Sequence, residues 1–309
     1  MWVEEKPSWI SIVLRWRGSI MPRIWRRVAV VTALGMVTTA VYESVPALHL
    51  TLTPVPFTLI GLPLGIFLGF RNGSSYDRFW EGRKLWGALV NTSRTLTRQI
   101  LTIMRGPDGD AEVEAFQRDT VRTLVAYVHS LRLHLRGQSP WSELEPIVGP
   151  EIVARLKDEE NVPFALVQIL AERFAEARRR GWIHDLHVGI FDASLTNLMD
   201  IQGGCERIKA TPIPFSYTVL MHRIVAIYCL LLPFGLFDTV KWMTPVVVAF
   251  VSYAFFGLDA IGEEVEDPFG MDVNDLPLTA ISRTIEINLR RRIGDPRPEP
   301  HRPVRGVLT

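Results

Sequence analysis

Two sets of residues have the types and spacing to do chemistry. His184 and His187 are three apart and could share a metal ion with a third ligand. Glu263, Glu264, Glu266 and Asp267 form a dense acidic run, with Asp272 and Asp275 just beyond, which reads either as a solvated helix end at a membrane surface or as a cation site. His129 and His134, five apart, share a helical face poorly. Cys205 and Cys229 are too few for a disulfide framework, and no CxxC or Cys/His cluster points to structural zinc. GxGxxG after a strand, GxxxxGK[ST], GxSxG and HExxH are all missing, so nucleotide, acyl-transfer and zinc-hydrolase chemistry have no foothold. No convergent set of His, Cys and Asp supports catalysis, and the chain is expected not to be an enzyme.

A different kind of pattern lies between residues 56 and 70. Gly61, Gly65 and Gly69 recur every four residues, so on a helix they form a small-residue stripe that lets a neighbouring helix approach closely. Leu62, Ile66 and Phe70 recur at the same spacing, rotated by about 100°. Pro63 removes one amide donor and should loosen the helix near the carbonyl of Leu59. The spacing leaves two readings open. The bulky column can face lipid, or copies of this helix can ring an axis so that the column forms a hydrophobic constriction that gates by dewetting.

The elements that carry this pattern follow from where charge is missing. The chain has 309 residues, 34 Lys+Arg against 33 Asp+Glu, 22% charged and 48% apolar. Disordered, collagenous and coiled-coil classes are excluded, and the near-neutral balance speaks against a dedicated nucleic-acid binder. Four stretches hold no Asp, Glu, Lys or Arg: Val28–Tyr42, Ser44–Phe70, Ile224–Phe237 and Trp242–Leu258, of 15, 27, 14 and 17 residues. A bilayer core takes about 20 apolar residues of helix, and segregation of this kind marks membrane spans better than the core of a large soluble helical protein. Met1–Arg27 has Trp2, Trp9, Trp16 and Trp25 among many charges and no apolar core of its own, so no cleavable leader is expected.

Arg15, Arg17, Arg23, Arg26 and Arg27 precede the first stretch, and Arg71, Arg78, Arg83 and Lys84 follow the second. Positive-inside logic puts both termini and the long middle segment in the cytoplasm. The resulting layout is a cytosolic segment 1–27, a transmembrane hairpin 28–70, a helical cytosolic region 71–209, a second hairpin 210–258, a cytosolic segment 259–293 and a disordered Pro-rich tail 294–309. Within the middle region, Phe116, Val121, Leu124, Val125, Val128, Leu131 and Leu135 give a helical stripe over 115–135. Pro107–Gly109 and Gly137–Pro140 punctuate it, and Val162-Pro163 opens a helix from Phe164 to Arg180 that ends at Gly181. Trp25, Tyr42, Tyr217 and Trp242 fit interfacial anchoring, with core packing an equal alternative for Tyr217. No repeat and no charged midplane site suggests a secondary transporter.

Three segments carry a resemblance. PFTLIGLPLGIFLGFRNGSSYDRFWEGRKLWG (Pro56–Gly87), GGCERIKATPIPFSYTVL (Gly203–Leu220) and GLDAIGEEVEDPFGMDVNDLPL (Gly257–Leu278) are similar, in this order, to the second, third and post-fourth transmembrane segments of the bestrophins, above all the bacterial branch. The resemblance implies an all-α homopentameric ion channel with four transmembrane helices per subunit, a helical cytosolic portion and one pore on the five-fold axis. It implies that Leu62, Ile66 and Phe70 line the pore neck, with Gly61, Pro63, Gly65 and Gly69 supplying packing and flexibility, and that Leu186 forms a second, cytosolic aperture. Positions of the animal calcium clasp correspond to Glu264, Asp267, Asp272 and Asp275, but the run of acids after Pro-Phe-Gly is broken here by Met271, Val273 and Asn274. No cofactor is expected to be required. The expected partners are the chain itself, the bilayer of the inner membrane and small permeating ions, with bacterial-type cation conduction favoured over chloride. A membrane-anchored regulatory or scaffold protein is the remaining alternative.

Overall fold

A computed structural model describes residues 1, 8–45, 47, 52–106, 110–304 and 306–308. The expected turn at Pro107–Gly109 and the indole of Trp2 lie outside these residues. The fold is all-α, as expected. Ten α-helices are described: α1 (Trp9–Val13), α2 (Met21–Ser44), α3 (Val55–Ile103), α4 (Ala111–Leu135), α5 (Trp141–Leu156), α6 (Val162–Arg179), α7 (Val188–Ala210), α8 (Phe215–Val240), α9 (Thr244–Glu266) and α10 (Leu278–Arg292). The only β-type pairing among the described residues is an isolated bridge between Val304 and Val307.

The chain divides into two compact units. One comprises residues 4–79 and 212–267, the other 1–3, 80–211 and 268–309. In the first, α2, α8 and α9 pack together with the leading part of α3. Their shared core is almost purely aliphatic: Ile24, Val31, Leu64, Leu68, Val225, Leu232 and Val248 are each at most 2% exposed. Three helical stretches among the described residues, Met21–Ser44, Val55–Ile103 and Phe215–Glu266, are long and apolar enough to cross a membrane. The last contains both α8 and α9, separated by a tight turn at Lys241, whose φ of 48° is the one positive value at a described non-glycine residue. The charge-free runs understate the helices. α3 continues 33 residues past Phe70, and α9 continues past Leu258 through Asp259 to Glu266. Missing charge marks the thickness of an apolar layer, whereas a helix ends where its backbone loses its partners.

In the second unit α4 is the centre, packed against α5, α6, α7 and α10. Its first turn is capped by Asp110, whose side chain accepts from the Glu112 N–H, and its stripe Val121, Leu124, Val125, Val128 and Leu131 is fully buried. α6 starts at Val162-Pro163 under an Asn161 cap, because proline suits a first turn that has no amide bond to lose. Gly137 closes α4 with a φ of 63°, which a side chain would oppose. The Pro-rich tail, expected disordered from Gly294, is tied at its start: Asp295 takes two hydrogen bonds of 2.8 Å from the Arg122 guanidinium.

Candidate functional site

The leading part of α3 has four distinct sides. At about 100° per residue, Leu64, Leu68, Arg71 and Ser75 share one side, and all four are buried within this chain. Leu62, Ile66 and Phe70 project nearly opposite and are 71%, 51% and 67% exposed. Large apolar groups at these exposures have no covering partner in their own chain. Of the two flanks, one carries Gly61, Gly65 and Gly69, and the other carries the exposed Ile60 and Phe67.

The glycines do not behave alike. A Cβ at Gly61 would lie 2.8 Å from the Tyr228 hydroxyl, so this glycine admits α8. A Cβ at Gly65 or Gly69 would meet nothing within 4 Å. The expected packing stripe is therefore used within the chain at one position and open at the next two. Pro63 sits inside the continuous helix.

Where α3 leaves the apolar run it carries a buried charge. The Arg71 Nη1 donates to Asp259 Oδ1 at 2.6 Å, with the two side chains 0% and 1% exposed. The other carboxylate oxygen is 2.6 Å from His222 Nδ1. Arg71 Nε and Nη2 have no hydrogen-bond partner. Next to them, the Asn72 amide donates to the Leu258 carbonyl at 3.0 Å. Gly262 makes this possible, since a Cβ there would stand 2.3 Å from Asn72 Oδ1. In the sequence Arg71 stands only as the charge that ends an apolar run, and nothing local marks Asp259 or His222; the paired residues are 188 and 37 positions apart, beyond any local pattern.

Leu186 is in a single 3-10 turn, Asp185–His187, that leads directly into α7. The His184 ring nitrogen accepts the Leu186 N–H at 3.2 Å and caps the turn, and Leu186 is 82% exposed. His184 thus has a backbone role, and its ring centre is 6.1 Å from that of His187. No group of three or more His, Cys, Asp or Glu among the described residues is placed to hold a metal ion, so this histidine pair lacks a third ligand.

The acidic run has partners of its own. Glu264 pairs with Arg23 at 3.6 Å, and Glu266 accepts the Ile213 N–H at 2.8 Å. Asp275 is buried and accepts the Asp272 N–H at 2.7 Å, while Asp267 caps the end of α9. Calcium takes six to eight oxygens. Among the described residues no group of three or more His, Cys, Asp or Glu is placed to supply them.

Tyr42 is 7% exposed and meets Phe237 edge-on with ring centres 5.1 Å apart, so it is a core residue and not the expected interfacial anchor. Trp25 and Trp242 are exposed, and the Tyr217 hydroxyl donates to the Phe67 carbonyl at 3.2 Å. The other unit holds an ionic cluster that the five-residue spacing of its histidines did not suggest. His129, buried on α4, lies 3.0 Å from Glu286 and 3.5 Å from Glu143. His129 and Arg132 together hold the Glu143 carboxyl down from 4.5 to about 2. Burial pushes Glu286 up, but His129, Arg283 and Arg290 outweigh it and leave it lowered. Both cysteines are free and buried, and burial pushes the Cys205 thiol up to about 12, so it is inert.

A family model described as bacterial/fungal bestrophin protein matches residues 1–291. Among curated proteins, a voltage-dependent anion channel-forming protein of Ralstonia nicotianae is 40% identical over 296 residues, covering 96% of this chain and 95% of that protein. One of the same description from Escherichia coli is 36% identical over 289 residues, 94% of this chain and 93% of the relative. Among solved structures, the crystal structure of a bacterial bestrophin homolog from Klebsiella pneumoniae superposes with a TM-score of 0.83 at 37% identity, covering 88% of this chain and 99% of that one.

Proposed function

The chain belongs to the bestrophin family, which comprises ion channels and not enzymes, and on that premise we propose that five copies assemble around one axis in the cell membrane and pass small inorganic ions through a central pore. Each copy crosses the bilayer four times, by α2, the leading part of α3, α8 and α9, with both termini cytoplasmic. Leu62, Ile66 and Phe70 of each copy form an apolar neck, and Leu186 of each forms the cytosolic aperture.

The observation that carries this reading is the sidedness of α3. Its buried side is filled by its own chain, its opposite side carries the bulky column, and its two flanks are complementary: open glycines on one, Ile60 and Phe67 on the other. A helix set between two copies of itself meets each neighbour with a different flank. Such heterologous contacts close into a ring when the rotation between neighbours closes, and ring closure turns the fourth side, the column, toward the axis.

The mechanism is a path with a controllable dry section. An isolated ion entering a medium of low dielectric costs tens of kcal/mol by Born estimates. Side chains of Leu, Ile and Phe offer no oxygen in place of hydration water, so the neck conducts only when wide enough to stay wet. Such a neck does not choose the sign of charge. The relatives' names speak for anions and lean away from the cation preference expected from the bacterial branch, so anions are the favoured cargo.

Planar-bilayer recording of the purified protein under asymmetric NaCl tests this. The reversal potential is expected on the chloride side, with Ile66→Ala and Phe70→Ala raising open probability. A monomeric particle by native mass spectrometry, or unchanged conductance and open probability in both variants, overturns the pore assignment. A reversal potential on the sodium side overturns only the anion preference.

A further inference from the structure

The second unit contains an open cavity of about 670 Å3 between the trailing part of α3 and the last turns of α10. Its charged lining residues are Arg94, Arg98 and Arg292, and no carboxylate lines it. None of the three guanidiniums has an acidic partner among the described residues, and what sets them apart from other arginines of this unit is that all three line one cavity. Arg94 and Arg98 stand one helical turn apart, where like charges repel. The helix dipole favours cations only in a last turn. It accounts for Arg292, at the end of α10, but not for Arg94, nine residues before the end of α3.

The remaining walls say what kind of anion fits. The Thr97 and Thr102 hydroxyls donate to the carbonyls of Ser93 and Arg98, each at 2.8 Å, and the Asn288 amide donates to the Thr284 carbonyl at 2.6 Å. With both hydroxyl protons committed, the guanidiniums and the second Asn288 N–H are the donors left for a ligand, and the planar guanidinium forks match phosphate oxygens two at a time. Leu101 and Leu289 add apolar wall. The volume is that of a small-molecule site and far exceeds what a lone inorganic ion fills.

From this we infer that the groove between α3 and α10 is a binding site for a small polyphosphorylated anion, with Arg94, Arg98 and Arg292 taking the phosphate chain and Leu101 and Leu289 packing against an attached apolar group. This stands apart from conduction and does not depend on the neck.

Isothermal titration of the full chain in phosphatidylcholine nanodiscs, which carry no anionic headgroup, tests it with magnesium-free ATP and with inorganic tripolyphosphate. Saturable binding of both is expected, tighter for ATP and weakened by salt. Arg98→Gln and Arg292→Gln should each weaken it by about tenfold, while Arg291→Gln, one residue outside the lining, leaves it unchanged. Size-exclusion elution and melting of the variants monitor folding and assembly. No saturable binding of either probe, or binding indifferent to Arg98 and Arg292, overturns the inference. So does loss of assembly in these variants with no anion bound, since the groove is then a contact between copies.

Discussion

Asp259→Asn is the sharpest test of how the first unit is held together. Arg71 is fully buried, and its counter-charge among the described residues is Asp259, at 2.6 Å. The Arg71 Nε and Nη2 already lack partners, so the guanidinium has little left to lose before it stands as an unpaired buried charge. The amide keeps the shape of the carboxylate, removes its charge and turns one acceptor into a donor, facing either Arg71 or His222. Removing one partner of a buried pair costs roughly 3–5 kcal/mol. At about 2 °C per kcal/mol for a chain of this length, the fall in Tm is about 6–10 °C. Replacing both partners with apolar groups, as in Arg71→Met with Asp259→Leu, should regain most of that loss, because the desolvation cost of both charges disappears. His222→Gln should cost only about 1 kcal/mol, because it touches one hydrogen bond of a partly exposed ring. The assay is thermal unfolding in mild detergent, followed by tryptophan fluorescence at one scan rate. If Asp259→Asn melts within about 1 °C of the parent, or the double variant is no better than the single, the buried pair is not what organises this end of the helix group.

Two further outcomes follow from the same geometry. A Cβ at Gly65 meets nothing within 4 Å in its own chain, so Gly65→Ala should leave secondary structure intact while lowering the fraction of assembled particles on size-exclusion chromatography; an unaltered assembly would refute the glycine flank as a subunit contact. The Glu143 carboxyl is lowered from 4.5 to about 2 by His129 and Arg132, and a lowered folded-state value contributes stability that is present above 4.5 and is lost as pH falls toward 2. Melting temperature should therefore drop through that window, with Glu143→Gln flattening the drop. The effect is below about 1 kcal/mol because the Glu143 side chain is 40% exposed and its pairing is screened by solvent.

The sequence disclosed the helical class, the apolar segments and the two four-residue columns of α3, since these are written in local periodicity and in the absence of charge. It did not disclose the register. Spacing alone treats Leu62, Ile66 and Phe70 on one side and Leu64 and Leu68 on another as equivalent apolar rows, and nothing local says which row the chain buries. The glycines were legible as small but not as occupied or open, because occupancy is decided by Tyr228 on α8, a helix more than 150 residues away in sequence. The Asp295 anchor was hidden inside a composition that reads as disorder, because a single bidentate arginine leaves no trace in the average.

Arg71 shows what register adds to function. As the first charge after a 27-residue uncharged run, it sits next to Phe70 in sequence, and five such residues would place a strong positive ring beside the proposed neck. Register forbids this. Arg71 lies on the buried side of α3, away from the Phe70 column, and Asp259 neutralises it. A paired and buried charge projects little field onto the opposite side of its helix, so Arg71 cannot attract anions into the neck. Whatever sign the channel prefers must be set by charges elsewhere along the path. Asp259→Asn, which frees the Arg71 charge, should then shift the reversal potential only as far as it disturbs packing, and a large shift toward chloride with packing preserved would show that Arg71 faces the ions after all.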